Sequence, residues 1–131
     1  MSKNFLIIKL FETIGLTVNK DNVIQDQDTR SIINYRGFNL TYNNFDPIEN
    51  RDLAISLFKY FLKKIETYMN LYCLIFFEER NEINKTRIVM NTSNGTYISN
   101  YYYNKALAYI DIILMLNGIN TNNLVSLDTQ K

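Results

Sequence analysis

The sequence predicts a single α+β domain: a four-stranded antiparallel sheet packed against amphipathic helices, in the order helix, hairpin, helix, hairpin, helix. Three observations carry this. Residues 46–69, "DPIENRDLAISLFKYFLKKIETYM", repeat apolar residues at three- and four-residue steps. "LYCLIFF", residues 71–77, is apolar throughout and has the length of a strand. β-rich runs also flank two turn signals, Arg36-Gly37 and "RNEIN" at 80–84. A chain of 131 residues is long enough to bury one core, with 47% apolar and 21% charged residues, which are ordinary globular values.

Taken in order, residues 4–16 place Phe5, Ile8, Leu10 or Phe11, and Leu16 near helical spacing, with Lys9 and Glu12 outside and Gly15 as the stop. Residues 19–30 are polar and predict a loop. "SIINYRGFNLTYNN" predicts the first hairpin. For the long helix, Asp46 is a candidate cap, Pro47 suits the first helical position and Glu49 completes a capping box. Its apolar stripe is Ala54, Leu57, Phe58, Phe61, Ile65, Tyr68 and Met69, while Lys59, Lys63 and Lys64 point elsewhere.

"LYCLIFFEE" shows no alternation, so it predicts a central strand buried on both faces, with Leu74 and Phe76, and their neighbours Cys73, Ile75 and Phe77, inaccessible. "KTRIVMN" is the returning strand, "TSNGT" a turn and "YIS" a short extended piece. The last helix is predicted from Ser99 or Asn100 to Gly118. Tyr102, Tyr103, Ala106, Tyr109, Ile110, Ile113 and Leu114 then form its buried stripe, and Tyr101 points away. Residues 1–118 thus make the domain, and 119–131 are expected as a loosely attached tail.

Composition restricts the chemistry. Histidine is absent, which removes imidazole bases, Ser-His and Cys-His nucleophiles and His-based zinc sites. The one cysteine, Cys73, permits no intramolecular disulfide and sits in an apolar run, where a thiol is unreactive. Four isolated glycines, at 15, 37, 95 and 118, make no phosphate loop. Glu78, Glu79 and Glu82 fail the spacing of a metal nuclease, because two residues separate Glu82 from Lys85 across a turn. "QDQD" at 25–28 lacks the glycine and closing glutamate of a calcium loop. Ser56 and Lys59, three apart, are a chance match to a Ser-Lys pair. No catalysis, cofactor or metal is expected.

A net charge of +1 supplies no bulk attraction to nucleic acid or to an anionic membrane. The opening residues are interrupted by Lys9 and Glu12 and carry no A-x-A cleavage site, and no apolar run reaches the ~18 residues of a membrane span. A cytoplasmic location without membrane association is therefore expected. Asn occurs 19 times and Ala three, the bias of a very AT-rich genome such as a phage or other mobile element. With so much Asn, the Asn-x-Ser/Thr matches at Asn39, Asn84, Asn91 and Asn94 carry no meaning.

The stretch "SNGTYISNYYYN" at 93–104 poses the functional question. Tyr97 and Tyr101 are candidate partner-binding aromatics, and Arg80, Lys85 and Arg87 the basic residues nearest them in a folded hairpin, with acidic neighbours that cancel much of their field. The sequence thus points to a small non-catalytic interaction module that binds another protein of host or virion, as inhibitor, adaptor or virion component, or that self-assembles as a homo-oligomer. The alternatives are weak single-stranded nucleic-acid binding through Tyr97, Tyr101, Arg80, Lys85 and Arg87, and a nucleotide or sugar pocket lined by Asn and Tyr.

Overall fold

The computed structural model describes residues 2–26, 34–35, 38–69, 73–80 and 83–128; for residues 34, 35, 38, 66–69 and 73 the description is of the backbone. Mixed α and β structure is present as expected, but the strands divide among an antiparallel three-stranded sheet and two two-stranded ribbons instead of forming one four-stranded sheet.

Helix α1, Lys3–Ile14, begins where the Ser2 hydroxyl accepts from the Phe5 amide, and ends at Gly15. Gly15 takes a left-handed φ of 81° and donates its amide to the Phe11 carbonyl. The buried row is Leu6, Leu10 and Ile14, at steps of four, while Phe5 and Ile8 are exposed. The predicted stripe was displaced because apolar residues stand in nearly every direction around this helix, so spacing alone cannot select the inward one.

Part of the expected polar loop, residues 19–30, pairs with the residues just before it. Strands β1, Thr17–Val18, and β2, Ile24–Gln25, form an antiparallel ribbon, closed by Asn19 Oδ1, which accepts from the amides of Asp21 and Val23. Strands β3, Asn34–Tyr35, and β4, Phe38–Asn39, make the first predicted hairpin, whose Arg36-Gly37 turn lies outside the described residues. At two residues each, these strands carry too few ladder bonds to extend a sheet.

Helix α2, Arg51–Met69, starts four residues later than the capping signal suggested. Asp46 Oδ1 does accept from the Glu49 amide at 3.2 Å, but within a separate turn. Asn50 is the residue whose side chain accepts at the helix start, from the Leu53 amide. Leu53, Ala54, Leu57, Phe58 and Phe61 are buried. Tyr68, Met69 and the Cys73 thiol fall among side chains outside the description.

The main sheet is a meander of β5, Cys73–Arg80, β6, Lys85–Thr92, and β7, Gly95–Ile98, with β6 in the middle. Helix α3, Lys105–Leu116, touches α1, α2, β6 and β7, and every residue from Ala106 to Leu114 except Tyr109 is buried. A helix apolar on all sides belongs at the centre of its domain. It begins at Asn104, whose side chain accepts from the Ala106 amide, four or five residues after the predicted start. The segment expected as a loose tail is packed as far as Asp128: Thr121 and Leu124 are buried, and Asp128 accepts from the amides of Tyr103 and Asn104 at 2.8 and 3.0 Å. No helix among the described residues is long and apolar enough to cross a membrane.

The largest departure concerns β5. The sheet places it at an edge, and Leu74, Phe76 and Phe77 are 51%, 39% and 47% exposed. An unalternating apolar strand is buried on both faces only if layers cover both, and here α3 packs on β6 and β7 and meets β5 at the Phe77–Tyr109 ring contact. The expected cost of truncation falls accordingly. Ile110→Ala should destabilise by roughly 2–5 kcal/mol, as for other buried aliphatic sites. Phe76→Ala should cost less than half as much, and urea unfolding of the two variants checks the ratio.

Candidate functional site: a bulge that divides three tyrosines

Strands β6 and β7 pair in regular register from Thr92–Gly95 to Val89–Ile98. Ladder pairing resumes at Thr86 and Tyr102, which exchange two backbone hydrogen bonds of 2.9 Å. Between those points Ser99, Asn100 and Tyr101 face only Arg87 and Ile88, so the outer strand holds one extra residue, a β-bulge. Ser99 helps to close it. Its hydroxyl accepts from the Ile88 amide and donates to the Asn100 carbonyl, both at 2.9 Å.

The bulge reverses what the tyrosines face. Thr86, Ile88 and Met90 are the buried, inward side of β6, so Tyr102 opposite Thr86 points inward and is wholly buried. Its neighbour Tyr101 therefore turns outward, to the side of Arg87. In an unbulged ladder Tyr101 would stand opposite Thr86 and take the buried place.

Asp111 secures this arrangement from α3. Its Oδ2 accepts from the Tyr102 hydroxyl at 2.8 Å, the Asn100 amide at 2.9 Å and the Asn100 side-chain amide at 3.4 Å. The Asn100 amide belongs to the bulge, which leaves it without a ladder partner. Asp111 Oδ1 is buried without a hydrogen bond of good geometry. Burial raises the Asp111 pKa, and Thr121, Asn100 and Tyr102 pull it only partly back. Burial, followed by the Asp111 charge, likewise pushes the Tyr102 phenol far up, so it stays a neutral donor.

On the outward side the guanidinium carbons of Arg80 and Arg87 lie 4.7 and 4.6 Å from the Tyr101 ring centroid. Arg87 is also paired with Glu78, directly opposite it on β5, through a 2.7 Å bond from Nε to Oε2. Lys85 places its ammonium 4.7 Å from the Tyr103 ring centroid. Lys105 Nζ stands 3.8 Å from Glu79 Oε1.

Beyond this cluster the same face is apolar. Leu74, Phe76, Val89 and Ile98 share it by register, with Phe76 and Ile98 directly on either side of Val89. Val89 is 4% exposed and Ile98 43% exposed. Val89 is thus the buried middle of a row whose two flanks are exposed.

Of the five residues singled out from sequence, Arg80, Arg87 and Tyr101 meet, and Lys85 stands directly opposite Arg80 on the adjoining strand. Tyr97 does not join them: opposite Met90, it is half-buried and packed against the core. Sequence reading missed the bulge, Asp111 and the exposed strip. Asp111 alone carried a signal, as the one carboxylate in the apolar run "ALAYIDIILML". No group of three or more His, Cys, Asp or Glu suited to a metal occurs among the described residues. Comparison with protein-family models, with curated proteins and with solved structures found no match to the chain.

Two outcomes follow from the division of the tyrosines. Tyr102→Ala should cost about 3–5 kcal/mol, the range for emptying a buried aromatic site, and Tyr101→Ala less than about 1 kcal/mol; thermal and urea unfolding separate them. The second concerns pH. The folded state holds the Asp111 proton more tightly than the unfolded chain, so Asp111 weakens the fold as pH rises above the unfolded value of about 4, until its folded pKa is passed. Asp111→Asn should remove that slope, and the stability difference between the variant and the parent should move in favour of the variant between pH 4 and 7. A difference independent of pH would show that the carboxyl does not titrate on unfolding.

Proposed function

We propose that the protein is a non-catalytic interaction module that binds another protein, or a second copy of itself, through the outer face of its three-stranded sheet. The observation that supports this reading is the strip of Leu74, Phe76 and Ile98, each more than a third exposed, around Val89. Contiguous apolar surface of this kind, rimmed by charge, is characteristic of protein contact sites. The Glu78–Arg87 pair and the Tyr101 cluster form the rim at one end. Absent histidine and the single cysteine favour binding over catalysis.

Phe76→Glu and Ile98→Glu should leave the melting temperature within a few degrees of the parent while abolishing partner capture and self-association. Light scattering after size exclusion, with affinity capture from host lysate, reads this. A parent protein that is strictly monomeric and captures nothing overturns the reading.

The meeting of Arg80, Arg87 and Tyr101 favours a second reading, single-stranded nucleic-acid binding. Glu78 already neutralises Arg87, and two guanidiniums already occupy the Tyr101 ring, so a base would displace one of them. Anisotropy of a labelled oligonucleotide at low salt tests it, with binding expected to fall steeply as salt rises.

A further inference from the structure

At the Arg80–Lys85 end of the β5–β6 hairpin a cleft of about 200 Å³ is lined by Glu79, Arg80, Asn84, Lys85, Thr86 and Lys105. Two of its features run against local electrostatics. Arg80 and Lys85 are directly opposite in the ladder, where like charges destabilise a strand pair. Lys105 occupies the first turn of α3, the end at which the helix dipole disfavours a cation. Departures from local preference that converge on one place mark functional sites.

Two of these cations lie against aromatic rings. Among the described residues Arg80 and Lys85 have no carboxylate partner and instead lie against the rings of Tyr101 and Tyr103. Such contacts fix a cation while leaving its charge free to act. Among the described residues Glu79 is the one carboxylate in the lining, 3.8 Å from Lys105, so those residues carry three positive charges against one negative. Asp128, which takes the amides of Tyr103 and Asn104, is not part of it. The remaining polar side chains, Asn84 and Thr86, can both donate.

We infer that this cleft is a binding site for a phosphate group, as inorganic phosphate or as the terminal group of a small phosphate monoester. A tetrahedral dianion meets a guanidinium fork and two ammonium groups from three separate elements. The volume admits a group of a few heavy atoms, since water in bulk occupies about 30 Å³ per molecule. It falls short of the roughly 300–1,000 Å³ of drug-sized ligand sites. The site is independent of the apolar strip, and the two stand or fall separately.

The test is two-dimensional amide NMR of the full chain titrated with inorganic phosphate, with phenyl phosphate, and with sodium chloride at matched ionic strength. Saturable shifts are expected at residues 79, 80, 84–86 and 105 with both phosphates and not with chloride. A response to inorganic phosphate alone assigns the free ion, and a tighter response to phenyl phosphate assigns the monoester. Lys85→Gln and Lys105→Gln should each weaken binding about tenfold, the effect of losing one charge-assisted contact. Phe76→Glu should leave it unchanged. Shifts no larger than those in chloride, shifts unaltered in both lysine variants, or a phosphodiester oligonucleotide binding more tightly than phenyl phosphate would each overturn the assignment.

Discussion

A carboxylate placed in the middle of a helix that is buried on all sides is the constraint on which the rest of this structure turns. An unpaired charge there is so costly that it must either collect donors or hold its proton. Asp111 does the first on one oxygen and is pushed toward the second by burial. Its donors come from Asn100 and Tyr102, both on the segment that leaves β7 and enters α3. The same bonds supply a partner for the amide that the bulge strands. A defect in the sheet and a defect in the helix therefore satisfy each other, and the connecting segment has one favourable path.

That path decides what the sheet presents. With Tyr102 inward, the cavity between β6 and α3 is filled by a ring whose hydroxyl is already bonded. With Tyr101 outward, two guanidiniums gain an aromatic platform they would otherwise lack. Asp128 then fixes the next two amides, so the chain is held from Asn100 to Asn104 by carboxylates from two different elements. Residues beyond the last helix thereby help to place the tyrosines at its start.

How much of this was legible in the sequence depends on whether a residue's surroundings were local. The body of α2 was legible because Ala54, Leu57, Phe58 and Phe61 repeat at helical steps, and that of α3 because "ALAYIDIILML" is apolar at helical length and stops just before Gly118, although the sequence pointed to one buried stripe and not to burial all round. The first turn of each was not. Asp46-Pro47 and Asn100 are good caps by type, but Asn50 and Asn104 are equally good, and tertiary bonding selected them. Three successive tyrosines cannot be told apart by period, because a one-residue bulge shifts which of them faces in. The exposure of β5 was hidden for a related reason. "LYCLIFF" reads as a strand covered twice, and nothing in the sequence states that only one cover is supplied within the chain.

The outer face of β5 accordingly runs from an apolar half to a charged half along a single strand. Leu74 and Phe76 are followed on the same side by Glu78 and Arg80, with Val89, Arg87 and Lys85 on β6 in register beside them. The Glu78–Arg87 bond is the boundary between the two halves. Charges at the rim of a contact add little affinity but set orientation and association rate. A partner seated on Phe76 and Ile98 would derive its binding energy from desolvating the strip, and its direction from the row of Glu78, Arg87 and Arg80. The bulge at Asn100 is what keeps that row ordered, since it turns Tyr101 toward the two arginines, so the buried Asp111 bears on the surface through main-chain geometry and touches none of it directly.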